Sequence, residues 1–216
     1  MIFNFALRPL KEVIPWGPNR RLHWFGLTDG WYWLQVGDAI LFEYTQAILN
    51  VWSLPISEPF SRYADYQVAR LWEDLRDLLP AALEAIPADI LEQSPFVEKV
   101  WDYIERGEGP DIFDPFYDVV ETATNWWGMR GLSRGHLVAS PHIEIWRVAD
   151  VMHVGWNNRQ CLVDGVQVWT ATSGVVEFPF ESFLVETKSF RDRVASFDAG
   201  TCQRNPKCER IDGHPN

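Results

Sequence analysis

The sequence predicts an α+β domain: an antiparallel sheet with an inserted acidic helical segment and a C-terminal helix. Three observations predict it. Apolar residues alternate with period two toward both ends of the chain. In the middle they recur at three-and-four spacing. Gly, Pro, Asp and Asn punctuate the short β-prone runs. Strands held apart from strands by helices point to α+β rather than to repeated βαβ units. The chain has 216 residues, enough for one domain of ordinary size. The expected division is a single domain over 1–197 and a polar, flexible tail over 198–216.

The front of the chain carries the first strands. "FNFALR" (3–8) alternates weakly. "LHWFGLTDGWYWLQVGDAILFEY" (22–44) reads as a strand, a turn and a hairpin. Within it "WYWLQV" and "AILFEYT" are β-prone and "GD" at 37–38 is turn chemistry. "TDG" at 28–30 reads as a second tight turn, with Gly30 suited to positive φ. The same stretch holds Trp24, Phe25, Trp31, Tyr32, Trp33, Phe42 and Tyr44. It is either the core of a sheet or an aromatic platform for a small ligand. Alternation puts Trp31, Trp33 and Gln35 on one face and Tyr32, Leu34 and Val36 on the other. Sheets favour such large buried residues, so core is the first expectation.

The middle is helical. In "YQVARLWEDLRDLL", Val68, Leu71, Trp72, Leu75, Leu78 and Leu79 form one stripe, while Arg70, Glu73, Asp74 and Asp77 lie opposite. Pro80 is expected to limit this helix, with "AALEAI" forming another short one. "SPFVEKVWDYIERGEG" starts with Ser94 as N-cap and Pro95 at the first helical position. It turns Val97, Val100, Trp101 and Ile104 inward and Glu98, Asp102 and Glu105 outward. "DPFYDVVETATNWWG" repeats the pattern, with Phe116, Val119, Val120, Ala123 and Trp127 inward and Asp118, Glu121 and Thr122 outward.

From residue 135 the period returns to two. "GHLVAS", "HIEIWRV", "VMHVGWN", "QCLVDG", "QVWTAT" and "GVVEFP" are short strand candidates of a meander. "FESFLVETKSFRDRVASF" closes the domain as a helix with Phe183, Leu184, Thr187, Phe190, Val194 and Phe197 on one side. Asn157, Asn158, Arg159 and Asp164 form a polar cluster that fits a turn better than a cleft.

Charge is unevenly placed. Residues 73–121 hold fourteen carboxylates and three bases, which equals the whole net charge of −11. Such a block repels phosphate backbones and attracts a basic protein. It also fits a merely solvated helical face. The three cysteines, Cys161, Cys202 and Cys208, do not form a secreted disulfide framework. The N-terminus lacks the pattern of a signal peptide, and no apolar run approaches a membrane span, so the expected compartment is cytoplasmic.

Catalytic motifs are thin. "GLSRG" (131–135) matches G-x-S-x-G around Ser133, but it falls between a helix end and a strand instead of on a strand-to-helix elbow. "HIE" (142–144) matches H-x-E without the P-C-x-x-C that completes a deaminase zinc site. His142 and Glu144 share a strand face, and His153 on the next strand is placed to join them in a metal site or proton relay. Polar residues on the wet face of a sheet explain the same trio. Cys202, Cys208 and His214 match no zinc spacing. There is no Walker A and no G-x-G-x-x-G after a strand, so no cofactor is expected.

Four stretches, "LRPLKEVIPWG", "LHWFGLTDGWYWL", "DYQVARLWEDLRDLLP" and "WNNRQCLVDGVQVWTATSGVVEFPFESFLVETKSF", together resemble a bacterial family known only as a domain of unknown function. The resemblance covers about residues 5–197 and brings no catalytic residue with it. Small, acidic, Trp-rich proteins of this kind are similar in composition to immunity proteins of polymorphic toxins. The resulting expectation is a protein that binds and neutralises a basic toxin by occluding its active site. The contact residues are Glu73, Asp74, Asp77, Glu98, Asp102, Glu105, Asp118 and Glu121, with Tyr103 and Trp126 as aromatic anchors. The competing expectations are a small enzyme using Ser133 or the His142, Glu144 and His153 trio, and a ligand module on the aromatic sheet face.

Overall fold

The computed structural model describes residues 1–15, 23–53, 61–86, 128–132 and 135–202, with side chains as far as 196. Strand β1 (Phe3–Leu7) pairs antiparallel with β2 (Asp29–Val36). The other side of β2 is shared by β3 (Ala39–Leu41) and β4 (Ala64–Gln67). This first sheet carries α1 (Trp24–Leu27) and α2 (Gln46–Ser53) on its connections. It leads directly into α3 (Val68–Leu83). A second sheet has the order β10-β7-β6-β5, from β5 (Gly131–Leu132), β6 (Ile143–Val148), β7 (Val151–Asn157) and β10 (Ser173–Pro179). A small hairpin joins β8 (Leu162–Val163) to β9 (Val166–Gln167). The final helix, α4, spans Phe180–Cys202.

The class is α+β, as the pattern of periods predicts. In place of one antiparallel sheet the described residues form two four-stranded sheets, and the meander expected from residue 135 on divides into β6, β7 and β10 of the second sheet and the separate β8–β9 hairpin. One core joins them. Tyr32, Leu34 and Val36 of the first sheet and Ile143, Ile145, Met152 and Val154 of the second are all buried within it. Helix α3 closes it with Leu71, Leu75, Leu78 and Ala82, and α4 with Phe183, Phe190 and Val194. Phe190 anchors α4: its ring stacks on Phe3 at 5.3 Å and meets Phe5 edge-on at 5.8 Å.

Several local expectations give way to tertiary contacts. "WFGL" is a short helix, not a strand. Buried Thr28 ends it, its hydroxyl within hydrogen-bond reach of the Trp24 and Phe25 carbonyls (3.1 and 3.2 Å). The same hydroxyl accepts the Ala69 amide (3.2 Å), and the Thr28 carbonyl accepts the Val68 amide (2.8 Å). The N-terminus of α3 is thus capped from forty residues away, with no local side-chain cap at Gln67. Gly30 makes no positive-φ turn but lies in β2. A Cβ there would collide with the Ala6 carbonyl and stand 2.8 Å from Leu7 Cα. Glycine is required by the closeness of β1.

Pro80 does not stop α3, which continues to Leu83. It sits on the exposed side while Leu78 and Ala82 stay buried, so packing outweighs the lost backbone bond. Strand β3 ends early because Phe42 takes a φ of 65°. "GHLVAS" forms bends and a turn instead of a strand. Of the polar cluster, Arg159 and Asp164 sit in turns, as expected, while Asn157 ends β7; Asp164 takes a φ of 50° between β8 and β9. Buried Asn158 accepts the His142 amide and donates to the Ala171 carbonyl, both at 2.8 Å. The backbone of α4 runs past Phe197 to Cys202. The helices expected from "SPFVEKVWDYIERGEG" and "DPFYDVVETATNWWG" lie outside the described residues.

Candidate functional site

The acidic face of α3 is largely spoken for by the protein itself. Glu73 accepts from Arg70 at 2.7 Å, and the Arg70 guanidinium lies 4.1 Å from the Phe25 ring. The Glu73 and Asp74 side chains are each only 19% exposed. Asp74 stands 3.6 Å from Nδ1 of His136, whose Nε2 is 3.3 Å from the Tyr32 hydroxyl. With the imidazole proton on Nδ1, Nε2 accepts the Tyr32 O–H. Tyr66 stacks on the same imidazole at 4.8 Å. Burial, with Arg70 nearby, holds His136 below its ordinary value, and burial raises Tyr32 well above its own. This relay ties α3 to the first sheet. Asp77, beside Arg76 and 68% exposed, faces water. The expected contacts Glu98, Asp102, Glu105, Asp118, Glu121, Tyr103 and Trp126 lie outside the described residues, as do Ser133, Cys208 and His214.

The outward face of the first sheet is aromatic, as alternation predicts, but its rings are engaged. Trp33 stacks on Tyr63 at 4.3 Å, and Arg62 covers Tyr63 at 5.7 Å. Arg8 lies over Trp31 at 4.7 Å, while the Trp31 indole donates to Asp65 at 3.2 Å. Arg8 also pairs with Asp65 and Asp29. Each of these rings has a face occupied by its own chain.

The trio on the second sheet is not brought together. Glu144 lies on β6 and His142 just before it, but His153 on β7 lies opposite Trp146. The Trp146 ring stacks parallel on His153 at 5.2 Å with 7° between the planes. His153 instead faces Glu177 at 3.7 Å, and burial lowers its pKa against the pull of that carboxylate. Among the described residues no three His, Cys, Asp or Glu side chains gather as a metal site.

Glu144 remains as the unusual group. It lines a cleft of about 440 Å³ with His142, Ser140, Cys161 and the apolar Leu132, Pro141, Ile143 and Leu162. Burial alone pushes its carboxyl up to about 7. The Cys161 thiol donates weakly to the Ser140 carbonyl at 3.4 Å, and burial raises its pKa. It has the character of an inert buried thiol. The sequence offered no sign of His136, which sits in a stretch read as a strand. Buried Glu43 was equally hidden: it pairs with Arg62 and accepts from Thr170 at 3.0 Å, joining the first sheet to the segment after β9.

A family of unknown function, DUF5984, matches residues 2–197, and the chain belongs to that family. No curated protein and no solved structure matches it. No helix among the described residues is long and apolar enough to cross a membrane.

Proposed function

We propose that this protein binds and neutralises a basic protein partner, a cognate antibacterial toxin, by covering its active site. One observation carries the reading: the whole net charge of −11 falls within residues 73–121. The geometry of α3 narrows it further. Glu73 and Asp74 are committed to Arg70 and to the His136 relay, which leaves Asp77, paired with Arg76 at the surface and 68% exposed, as the most accessible carboxylate of that helix. Beyond α3, residues 84–121 contain eleven carboxylates against Lys99 and Arg106 alone. Steering by this segment raises the association rate with a positively charged surface and screens out acidic competitors. Glu98, Asp102, Glu105, Asp118 and Glu121 are the proposed contacts, with Tyr103 and Trp126 as anchors.

The test is capture of the tagged protein from its native cells, followed by assay of whatever co-purifies. A single basic protein whose own activity returns once the two are separated supports the reading. A partner that is acidic, or equally active in the complex, rejects it.

A further inference from the structure

Glu144 stands between two glycines. Its register partners are Gly131 on β5 and Gly155 on β7. The space over Gly155 is filled by Trp146, whose ring atoms lie 2.8 Å from where a Cβ would stand. The space over Gly131 is open among the described residues, none of which lies within 4 Å of the corresponding point. The missing side chain on that flank opens onto the cleft of about 440 Å³. Leu162, 44% exposed, is an apolar side chain of its lining, whereas Leu132 and Ile143 turn into the core.

The Glu144 carboxyl has no hydrogen bond or ion pair among the described residues, and burial is what raises its pKa. An ionised carboxylate is acceptor-only, and no described side chain donates to it here, although Ser140, His142 and Gln160 also line the cleft. A metal needs further ligands, and among the described residues none gather there. Covalent catalysis needs a nucleophile, and the nearby Cys161 thiol is bonded and raised in pKa. An anion would meet the carboxylate itself. What fits is a cation that carries several N–H donors and an apolar stem.

We propose that this cleft is a binding site for an organic cation, in which a guanidinium or alkylammonium group pairs with Glu144 and its stem lies along Leu162. A guanidinium satisfies both carboxylate oxygens at once. The cation also restores the charge that the empty cleft disfavours, so binding displaces the proton from Glu144. The other titratable groups lining the cleft are His142 and Cys161, with His153 one row away beyond Trp146. The site is separate from the acidic segment, so loss of either proposal leaves the other standing.

The experiment titrates agmatine, and separately a capped Leu-Arg dipeptide amide, into the full chain by calorimetry and amide NMR at pH 6 and pH 8. Saturable binding is expected, with shifts at Gly131, Glu144 and Leu162. Affinity should rise about tenfold between the two pH values as the carboxyl ionises. Glu144→Gln should weaken binding at pH 8 at least about tenfold, and Asp77→Asn should leave it unchanged. Gly131→Val, which fills open space, should block the cleft while Glu144 stays in place. Binding of both probes identifies the cation itself as the ligand, and binding of the peptide alone identifies a cation delivered on a polypeptide. No saturation by either probe at pH 8, or equal affinity in Glu144→Gln, overturns the proposal.

Discussion

Gly131 and Glu144 face each other across the β5–β6 ladder, and the side chain absent from the first leaves room beside the carboxyl of the second. The protein keeps a desolvated acid there with no partner among the described residues. That arrangement has a measurable consequence for stability. The ordinary glutamate value is 4.5, and the folded value is about 7. Between them the folded state binds more protons than the unfolded one. The advantage is full at low pH and is lost as pH rises through about 7. Glu144→Gln should therefore stabilise the protein at pH 8 by about 1–3 kcal/mol, allowing for water in the cleft. The gain at pH 5 should be about a quarter of that. Thermal unfolding of both proteins at the two pH values checks it.

His136 works in the opposite direction. Its folded pKa lies below the ordinary 6.5, so the folded state holds fewer protons than the unfolded one. That contribution is complete above about 6.5 and declines as pH falls through it. His153 has the same sign. His136→Gln should flatten the acid side of the stability curve. At neutral pH it should cost about 1–2 kcal/mol through the lost Tyr32 contact and Tyr66 stacking. Urea unfolding from pH 5 to 8 reads both effects. An unchanged acid slope would remove His136 from the account.

Two glycines with different surroundings should respond differently to alanine. At Gly30 the new Cβ meets the β1 backbone. The β1–β2 pairing must give way, and a loss above about 3 kcal/mol is expected. At Gly131 there is open space, and the change should stay within about 0.5 kcal/mol. Chemical unfolding of the two variants side by side makes the comparison.

Thr28→Val keeps the shape at that position and removes the hydroxyl that serves both α1 and α3. With a buried amide left without its acceptor, a loss of about 1–3 kcal/mol is expected. Amide exchange should quicken first at Val68 and Ala69. Uniform change along α3 would show that the helix start does not depend on Thr28.

These contacts explain which parts of the fold were legible in the sequence. Period two and the Gly37–Asp38 turn locate β2 and the start of β3, because side chains there obey the pleat until Phe42 leaves it. The apolar stripe of α4 is equally plain, from Phe183 to Val194. Partners distant in sequence are not legible. Pro80 and "WFGL" follow local rules until Leu78, Ala82 and Thr28 meet the rest of the core. The Asp74–His136–Tyr32 relay joins three segments that no spacing connects. The cleft shows the same limit: "HIE" draws the eye to Glu144, but Gly131 gains meaning only once β5 lies beside it.

In the proposed function the acidic segment recognises a basic partner. The most direct measurement is the affinity of the captured partner as a function of salt. It should be made for the wild type and for a variant with Glu98, Asp102, Glu105, Asp118 and Glu121 changed to lysine. The account predicts a steep loss of wild-type affinity with rising salt, carried mostly by association rate. In the variant it predicts binding at least about a hundredfold weaker at low salt, with the attractive salt slope abolished. Equal affinity and equal salt dependence in the two proteins would contradict it.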